Sequence, residues 1–309
     1  MDNIKPLADA MKIHRGEYSS GGADYSVTTL IKPPRVVFLH KRHLHKVELF
    51  IEDQLHSFTG TAAHAYIEYC LRKSPGDWEC ETRLHDTILG RKISGAFDYL
   101  YKKKVLYDLK TTGVGSIIFG GHLEDWAAQQ NMYRLLYWKK TGTTLKKLII
   151  VGQFRDWSKW NLMRAGKPTD GKNPYPSYPA VEYEMPIWDF TKTQRWMEER
   201  VALMKQYEST HDDELPECTF DEMWADNDTV AVMSSRLKSK AKRVLNTQAE
   251  AEDYVRWYLS QEKCLDTEKT LSFQFRPGVR KRCQSWCPIN KYCNQYQMFL
   301  KMKEELDES

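Results

Sequence analysis

The sequence lacks any long hydrophobic run and has little net charge. No segment approaches the roughly 18–20 consecutive apolar residues that span a membrane. Residues 1–15 mix charged with apolar side chains and do not form the apolar centre of a signal peptide. The formal net charge is +4 over 309 residues. These absences lead us to expect a cytoplasmic protein with no membrane partner.

Disulfide bonds are also not expected. Seven cysteines occur in a chain without a secretory signal, and disulfide frameworks belong mainly to secreted proteins. Cys283, Cys287 and Cys293 lie within an eleven-residue span near the C-terminus. Thiols this close together indicate a metal or cluster site.

Apolar residues are plentiful enough for a large folded core. Hydrophobic residues make up 41% of the chain and aromatic residues 12%. A length of 309 residues suits one large domain with an appendage. Changes of composition divide the chain into a flexible segment 1–24, a folded core 25–210, and a basic, cysteine-containing region 211–309.

Hydrophobic periodicity predicts that the core is a mixed α/β unit, with a central mixed sheet flanked by helices. Thr59 is the expected N-cap of the first helix, and Thr247 with Glu250 forms a capping box for a helix in the third region. Helices are predicted over 58–71, 122–140 and 189–207, strands over 79–84, 92–100, 104–110, 146–154 and 180–185, a hairpin turn at 101–103, and loops at 111–121 and 164–179.

Basic side chains are concentrated in two stretches despite the low net charge. Such clusters suit contacts with a phosphate backbone, which dominate nucleic-acid affinity. A solvated charged surface without a partner is the alternative, and composition leaves both open. The basic residues are Arg236, Lys238, Lys240, Lys242 and Arg243 in the first stretch and Arg276, Arg280, Lys281 and Arg282 in the second.

Four short motifs in one order carry the candidate chemistry. They are Gly60–His64 on a predicted helix, Gly95–Asp98 and Asp108–Lys110 on successive strands, and Gln129–Tyr133 on the following helix. Together they supply an imidazole, two carboxylates and a lysine. That set is suited to holding a divalent metal ion beside a phosphodiester.

Asp98 and Asp108 are the predicted centre of this site. Carboxylates on neighbouring strands can place oxygen atoms around one hard cation such as Mg²⁺. Lys110 projects from the same face as Asp108 because side chains alternate along a strand. We expect His64 and the main-chain carbonyl of Leu109 to add further ligands. Lys110 is expected to orient the attacking water or to stabilise charge on phosphorus.

Gln129 and Tyr133 are four residues apart and therefore share one face of a helix. Their predicted role is to position a DNA backbone phosphate, or a base by stacking. The alternative is a core tyrosine with a polar neighbour. Glu68, four residues after His64, is a weaker candidate for the site.

The ordered motifs resemble the PD-(D/E)XK nuclease superfamily in its RecB-like branch. That branch has a histidine after a glycine on a helix, Gly-x-x-Asp on a strand, (Asp/Glu)-x-Lys on the next strand, and Gln-x-x-x-Tyr on the following helix. The match extends from Thr28 to Val151. The resemblance implies a restriction-endonuclease-like core and a Mg²⁺- or Mn²⁺-dependent deoxyribonuclease. The matching residues are His64, Asp98, Asp108, Lys110, Gln129 and Tyr133.

The clustered cysteines resemble those of RecB-like nucleases that carry an iron–sulfur cluster, among them CRISPR-associated exonucleases and phage-encoded relatives. Two departures are visible: three residues separate the first two cysteines of the triplet where the relatives have two, and no cysteine precedes His64. Cys264 is the alternative fourth ligand, and Zn²⁺ is the alternative metal. The resemblance implies a [4Fe-4S] cluster held by Cys218, Cys283, Cys287 and Cys293.

The expected activity is that of an exonuclease that hydrolyses phosphodiester bonds at DNA ends or in single strands. By resemblance, its setting is recombination, repair or replication of phage or bacterial DNA, in the bacterial cytoplasm or a phage-infected host cell. A recombination or single-strand-annealing protein is a candidate partner. A structure-specific endonuclease and a non-cleaving DNA-binding or assembly module on the same fold are the alternatives.

Overall fold

The computed structural model describes Ala10 and residues 21–47, 51–120, 123–166, 174–237 and 240–308, without the side chains of 51–54 and 307–308. The chain divides into two compact units. The first contains Met1–Phe38 and Lys46–Thr210, and the second contains Leu39–His45 and His211–Ser309. The flexible segment predicted for residues 1–24 lies almost entirely outside the described residues.

The first unit is built on a six-stranded sheet. Its strands are β1 (Tyr25–Ser26), β2 (Trp78–Ile88), β3 (Arg91–Tyr101), β4 (Val105–Thr112), β5 (Lys147–Phe154) and β6 (Ala180–Glu184). The order is β1-β3-β4-β5-β6, and β2 also pairs with β3. The β1–β3 and β4–β5 pairs are parallel, whereas the β2–β3, β3–β4 and β5–β6 pairs are antiparallel. The predicted mixed sheet is therefore confirmed, as is the hairpin between β3 and β4.

Helices flank this sheet, which confirms the predicted mixed α/β class. They are α1 (Val27–Leu30), α2 (Pro34–His43), whose last residues belong to the second unit, α3 (Ile51–Lys73), α4 (Gly115–Ile118), α5 (Leu123–Thr141), α6 (Lys159–Arg164) and α7 (Phe190–Tyr207). Every residue of α5 from Trp126 to Tyr137 is buried, because α5 contacts both the sheet and α7. Among the described residues, no helix combines the length and the apolarity needed to cross a membrane.

The structure corrects one predicted helix start and one predicted loop. Thr59 is not an N-cap, because α3 begins at Ile51 and the Thr59 hydroxyl donates a hydrogen bond to the Leu55 carbonyl one turn earlier, at 2.8 Å. A hydroxyl satisfied in this way is compatible with a helix interior. The short helix α4 lies within the predicted loop 111–121, of which residue 121 is outside the described part.

The second unit contains a three-stranded antiparallel sheet in the order β8-β7-β9. Its elements are β7 (Thr229–Ser234), β8 (Arg243–Leu245), α8 (Gln248–Leu259), β9 (Leu271–Arg276), α9 (Lys281–Ser285) and α10 (Asn294–Glu308). The predicted capping box is half formed. The Thr247 side chain accepts from Glu250 N at 3.1 Å, but the Glu250 carboxylate accepts from Asn246 N, one residue before the cap.

Candidate active site and metal centre

The site begins where β3 and β4 separate. Their registered pairs end at Tyr99 and Tyr107, immediately before Asp98 on one strand and Asp108 on the other. Asp98 Oδ2 accepts a hydrogen bond from Leu109 N at 2.7 Å. A side chain thus satisfies a main-chain donor that a longer ladder would have paired. The two strands therefore diverge at the two predicted aspartates.

The helix α3 places His64 at this point. Tyr99 Oη donates to the main-chain carbonyl of His64 at 3.0 Å, and His64 Nε2 lies 3.0 Å from the carbonyl oxygen of Leu109. Because a carbonyl oxygen only accepts, Nε2 carries the hydrogen in that contact. The other ring nitrogen, Nδ1, lies 3.3 Å from Asp98 Oδ2.

Glu81 on β2 is a further member of the site that the sequence did not reveal. Its Oε1 lies 4.0 Å from His64 Nδ1. Glu81 occupies the position opposite Asp98 in the β2–β3 register, and its φ of 49° interrupts the pairing there. A left-handed backbone conformation is uncommon for glutamate. Non-glycine residues that adopt it are concentrated at functional sites. No sequence pattern signals it.

Three ligand atoms converge in this arrangement. His64, Glu81 and Asp98 each place one ligand atom within 4.8 Å of the other two. Among the described residues, these three form the group whose geometry could hold a metal ion. A neutral Nδ1 presents a lone pair, and both carboxylates present further lone pairs. Acceptors that face each other repel unless a proton or a cation lies between them, so the donor set fits a divalent ion.

Burial and mutual repulsion perturb these groups. Burial raises the pKa of Asp98 well above its usual range, and the charge of Asp108 adds to the shift. Burial also raises the pKa of Glu81, with help from Glu68 and Asp108. For His64, burial is the largest cause and lowers the pKa of the imidazole. Each shift disfavours the charged state without a compensating cation.

Asp108 and Lys110 lie beside these three ligands rather than among them. Asp108 is 2% exposed, and Lys110 Nζ lies 2.6 Å from its Oδ2. The structure thus brings the predicted catalytic residues together, while the Leu109 carbonyl is engaged by His64. The metal-ligand roles of Asp108 and Leu109 stay predictions.

Gln129 and Tyr133 form a buried relay to the lysine. Gln129 Oε1 accepts from Lys110 Nζ at 2.9 Å, and Gln129 Nε2 donates to Tyr133 Oη at 3.0 Å. Only 4% of Gln129 and 3% of Tyr133 are exposed. A base cannot stack on a buried ring, so the predicted stacking role is corrected, whereas the positioning of a DNA backbone phosphate stays a prediction. In this structure the two residues orient Lys110.

Gly95 shows why the strand motif includes a glycine. A Cβ atom there would lie 2.7 Å from Cε1 of Tyr133 and 2.8 Å from Cγ2 of Val27. We expect Gly95→Ala to lower the free energy of unfolding by about 1–3 kcal/mol through overpacking, as measured by denaturant titration. Gly166→Ala is the matched control, because nothing lies within 4 Å of its added Cβ. Equal stability of both variants would contradict the close packing described here.

Asp98→Asn tests the electrostatic cost of the metal-free site. The amide oxygen can still accept from Leu109 N while the charge is removed. Because the folded-state pKa of Asp98 is raised, the wild-type protein loses stability as pH rises from the ordinary value of about 3.9 towards the raised one. We therefore expect a higher Tm for Asp98→Asn than for wild type at pH about 8 in EDTA, with the gain shrinking towards pH about 4.

Asp86→Asn provides the control for that measurement. Asp86 is an aspartate of the same sheet whose carboxylate pairs with Lys139 at 2.6 Å. Removing a paired charge is expected to lower Tm or leave it unchanged. If Asp98→Asn behaves like Asp86→Asn at every pH, the repulsion described for the site is absent.

The four cysteines predicted as cluster ligands gather in the second unit. Gln295, two residues after Cys293, accepts from Cys218 N at 2.9 Å and donates to the Cys218 carbonyl at 2.8 Å. Asn290 donates to the Cys283 carbonyl at 2.8 Å. Burial raises the pKa of the Cys218 thiol to about 12 and that of Cys283 to about 11, and other cysteines of the group contribute to both shifts.

Cys264, the alternative fourth ligand, has a different environment. Its Sγ lies 3.6 Å from the Asp266 carbonyl. The placement therefore favours Cys218 over Cys264 beside the C-terminal triplet, and the ligand assignment itself stays a prediction.

Comparisons with known proteins give no family. No protein-family model matches the chain, and no curated protein matches it. Eight solved chains match. SSO0001 has 20% identity and a TM-score of 0.43, over 66% of this chain and 87% of that one. A Eubacterium rectale protein named "Putative exonuclease" has 13% identity and a TM-score of 0.30, over 64% and 73%. Because both TM-scores are low, we base the functional proposal on the site itself.

Proposed function

We propose that this protein is a metal-dependent DNA nuclease. The observation that carries the proposal is the convergence of one ligand atom each from His64, Glu81 and Asp98 within 4.8 Å of one another, beside a buried aspartate paired with Lys110. A structural ion pair does not need three facing acceptor atoms. A metal-dependent phosphodiester hydrolase does, because it must hold a divalent cation next to its substrate.

The residues have separate roles in this proposal. His64, Glu81 and Asp98 hold the ion, and Asp108 is close enough to act on all three electrostatically. Oxygen-rich ligand sets suit Mg²⁺ or Mn²⁺. When bound, such an ion lowers the pKa of water and neutralises charge on the phosphate.

Lys110 provides the positive charge that faces the substrate. Its Nζ is held between Asp108 Oδ2 at 2.6 Å and Gln129 Oε1 at 2.9 Å. A fixed ammonium group stabilises negative charge that develops on phosphorus without reorganising during the reaction. Tyr133 fixes the orientation of the Gln129 amide, so the buried relay acts through Lys110.

The form of DNA that is cleaved distinguishes the finer proposals. We propose an exonuclease acting on DNA ends or single strands, in recombination, repair or replication of phage or bacterial DNA in the cytoplasm, with a recombination or single-strand-annealing protein as partner. Support comes from the motif order shared with RecB-like nucleases. The test compares end-labelled linear and closed circular DNA, single- and double-stranded, with Mg²⁺ or Mn²⁺.

Each outcome of that comparison has one meaning. Degradation of linear DNA with circular DNA intact supports the exonuclease. Cleavage of closed circles replaces it with an endonuclease. Tight binding without cleavage under either metal contradicts a nuclease and favours a DNA-binding module.

For the cysteines we propose a [4Fe-4S] cluster. A tetrahedral zinc site with Zn–S bonds of about 2.3 Å brings its sulfur atoms to about 3.8 Å from one another. Within the described residues, no three cysteine sulfurs lie within 4.8 Å of one another. The choice of iron–sulfur over zinc rests on the resemblance of the cysteine triplet to that of RecB-like nucleases, whose clusters are held by thiolates. Cys218, Cys283, Cys287 and Cys293 are the proposed ligands.

A further inference from the structure

One edge of the sheet in the second unit carries exposed aromatic rings. β9 is an edge strand of that sheet and pairs with β7. Phe273 is 43% exposed and Phe275 is 42% exposed. Because they are two residues apart on one strand, both rings lie on the same face, about 6.6 Å apart along the strand.

The same face is buried on the neighbouring strand. Val232 stands opposite Phe273, and Val230 stands opposite Phe275. Both valines are at most 5% exposed and pack with Ala251 of α8. α8 lies over β7 and β8, so its cover ends before the outer side of β9. The two phenylalanine rings therefore form the open margin of an otherwise covered face.

Exposed cations border these rings. Arg236 and Lys240 are exposed and lie between β7 and β8. This connection is tied to the start of β9, because Ser235 N donates a hydrogen bond to the Thr270 carbonyl at 2.9 Å. We call the set Phe273, Phe275, Arg236 and Lys240 the β9 surface.

Nearby carboxylates are largely engaged elsewhere. Asp266 is paired with Lys242 at 2.5 Å and accepts from the Ser234 hydroxyl at 2.6 Å. Asp228 pairs with Arg280 and accepts from Gly278 N at 2.8 Å. The cations of the β9 surface therefore remain uncompensated by these acids.

We propose that the β9 surface binds single-stranded DNA at a place separate from the cleavage site. Phe273 and Phe275 stack on successive bases, and the cations contact the phosphates. The choice of DNA as the polyanion rests on the proposed nuclease function, whereas the binding does not require the metal centre. A protein strand added to the edge of β9 would use the main chain and would leave the aromatic and cationic side chains without a role.

The test measures fluorescence anisotropy of fluorescein-labelled oligo(dT) with the full-length protein in EDTA, where no cleavage occurs. We expect the double variant Phe273→Ala/Phe275→Ala to weaken binding at least about 10-fold. The reason is that stacking of each base on an aromatic ring strengthens binding severalfold or more, and the variant removes two such rings. Phe273→Trp/Phe275→Trp should keep the affinity, because tryptophan also stacks. Circular dichroism melts verify that each variant is folded.

Val244→Ser is the matched control. Val244 is 47% exposed on β8 and stands opposite Ala231, on the other face of the same sheet. The substitution removes an apolar side chain that is about as exposed as the two phenylalanines, and it leaves the β9 surface unchanged. We expect its affinity to lie within about twofold of wild type, since single surface changes away from a site have small effects.

Two results would overturn the inference. One is a folded double alanine variant that binds oligo(dT) as tightly as wild type. The other is sedimentation showing that this variant loses self-association while its affinity for oligo(dT) is unchanged, which would assign the surface to a second copy of the chain. Because the assay lacks divalent ions, a protein that binds through the phenylalanines but cleaves no DNA would contradict only the nuclease proposal.

Discussion

Asp108→Asn is expected to reduce Mg²⁺- or Mn²⁺-dependent DNA cleavage by about a thousandfold or more. The side chain is 2% exposed and pairs with Lys110 Nζ at 2.6 Å. Asparagine keeps the volume but removes the negative charge that attracts the cation and fixes the lysine. The measurement is the initial rate of cleavage of end-labelled linear DNA at saturating metal.

Glu184→Gln is the control for this loss. Glu184 is an exposed carboxylate on β6 of the same sheet, paired with Lys147 at 3.3 Å. Its neutralisation should leave the rate within about twofold, because exposed ion pairs contribute little. A folded Asp108→Asn variant that cleaves DNA at the wild-type rate would contradict the assigned role of Asp108.

Replacement of any one of the four clustered cysteines by serine is expected to abolish iron binding. Anaerobically purified wild-type protein should be brown and contain iron and acid-labile sulfide. Loss of one thiolate leaves an incomplete set of ligands for the cluster, so colour and iron should both disappear. The variants are Cys218→Ser, Cys283→Ser, Cys287→Ser and Cys293→Ser, assayed by visible absorbance and by metal analysis.

Cys264→Ser separates the two candidates for the fourth ligand. The Cys264 thiol lies beside the Asp266 carbonyl, whereas Cys218 is bound through its main chain to Gln295. We therefore expect Cys264→Ser to stay brown. A colourless Cys264→Ser with a brown Cys218→Ser would reverse the assignment, and stoichiometric zinc without iron would replace the cluster.

Features governed by local spacing could be predicted from the sequence. Alternation along β4 places Asp108 and Lys110 on one face, and their side chains are in contact. Helical spacing places Gln129 and Tyr133 together, and they are hydrogen bonded. The mixed sheet followed from strands separated by helical segments of recognisable period.

Features that depend on tertiary contacts could not be predicted in the same way. Glu81 reaches the site because its backbone is left-handed opposite Asp98. The residue type does not predict this conformation. Gln129 and Tyr133 are buried because α5 lies between the sheet and α7, so their contacts differ from the expected stacking on a base. The contact between Cys218 and Gln295 spans 77 residues of sequence, beyond the reach of any spacing rule.

Anomalous diffraction from crystals of the protein grown with Mn²⁺ tests the central claim most directly. We predict an anomalous peak at bonding distance, about 2.0–2.3 Å, from His64 Nδ1 and from carboxylate oxygens of Asp98 and Glu81. The peak should vanish in Asp98→Ala crystals. A fully occupied Mn²⁺ bound elsewhere, or a wild-type site that takes up no Mn²⁺ at millimolar concentration, would contradict the metal centre and the nuclease activity derived from it.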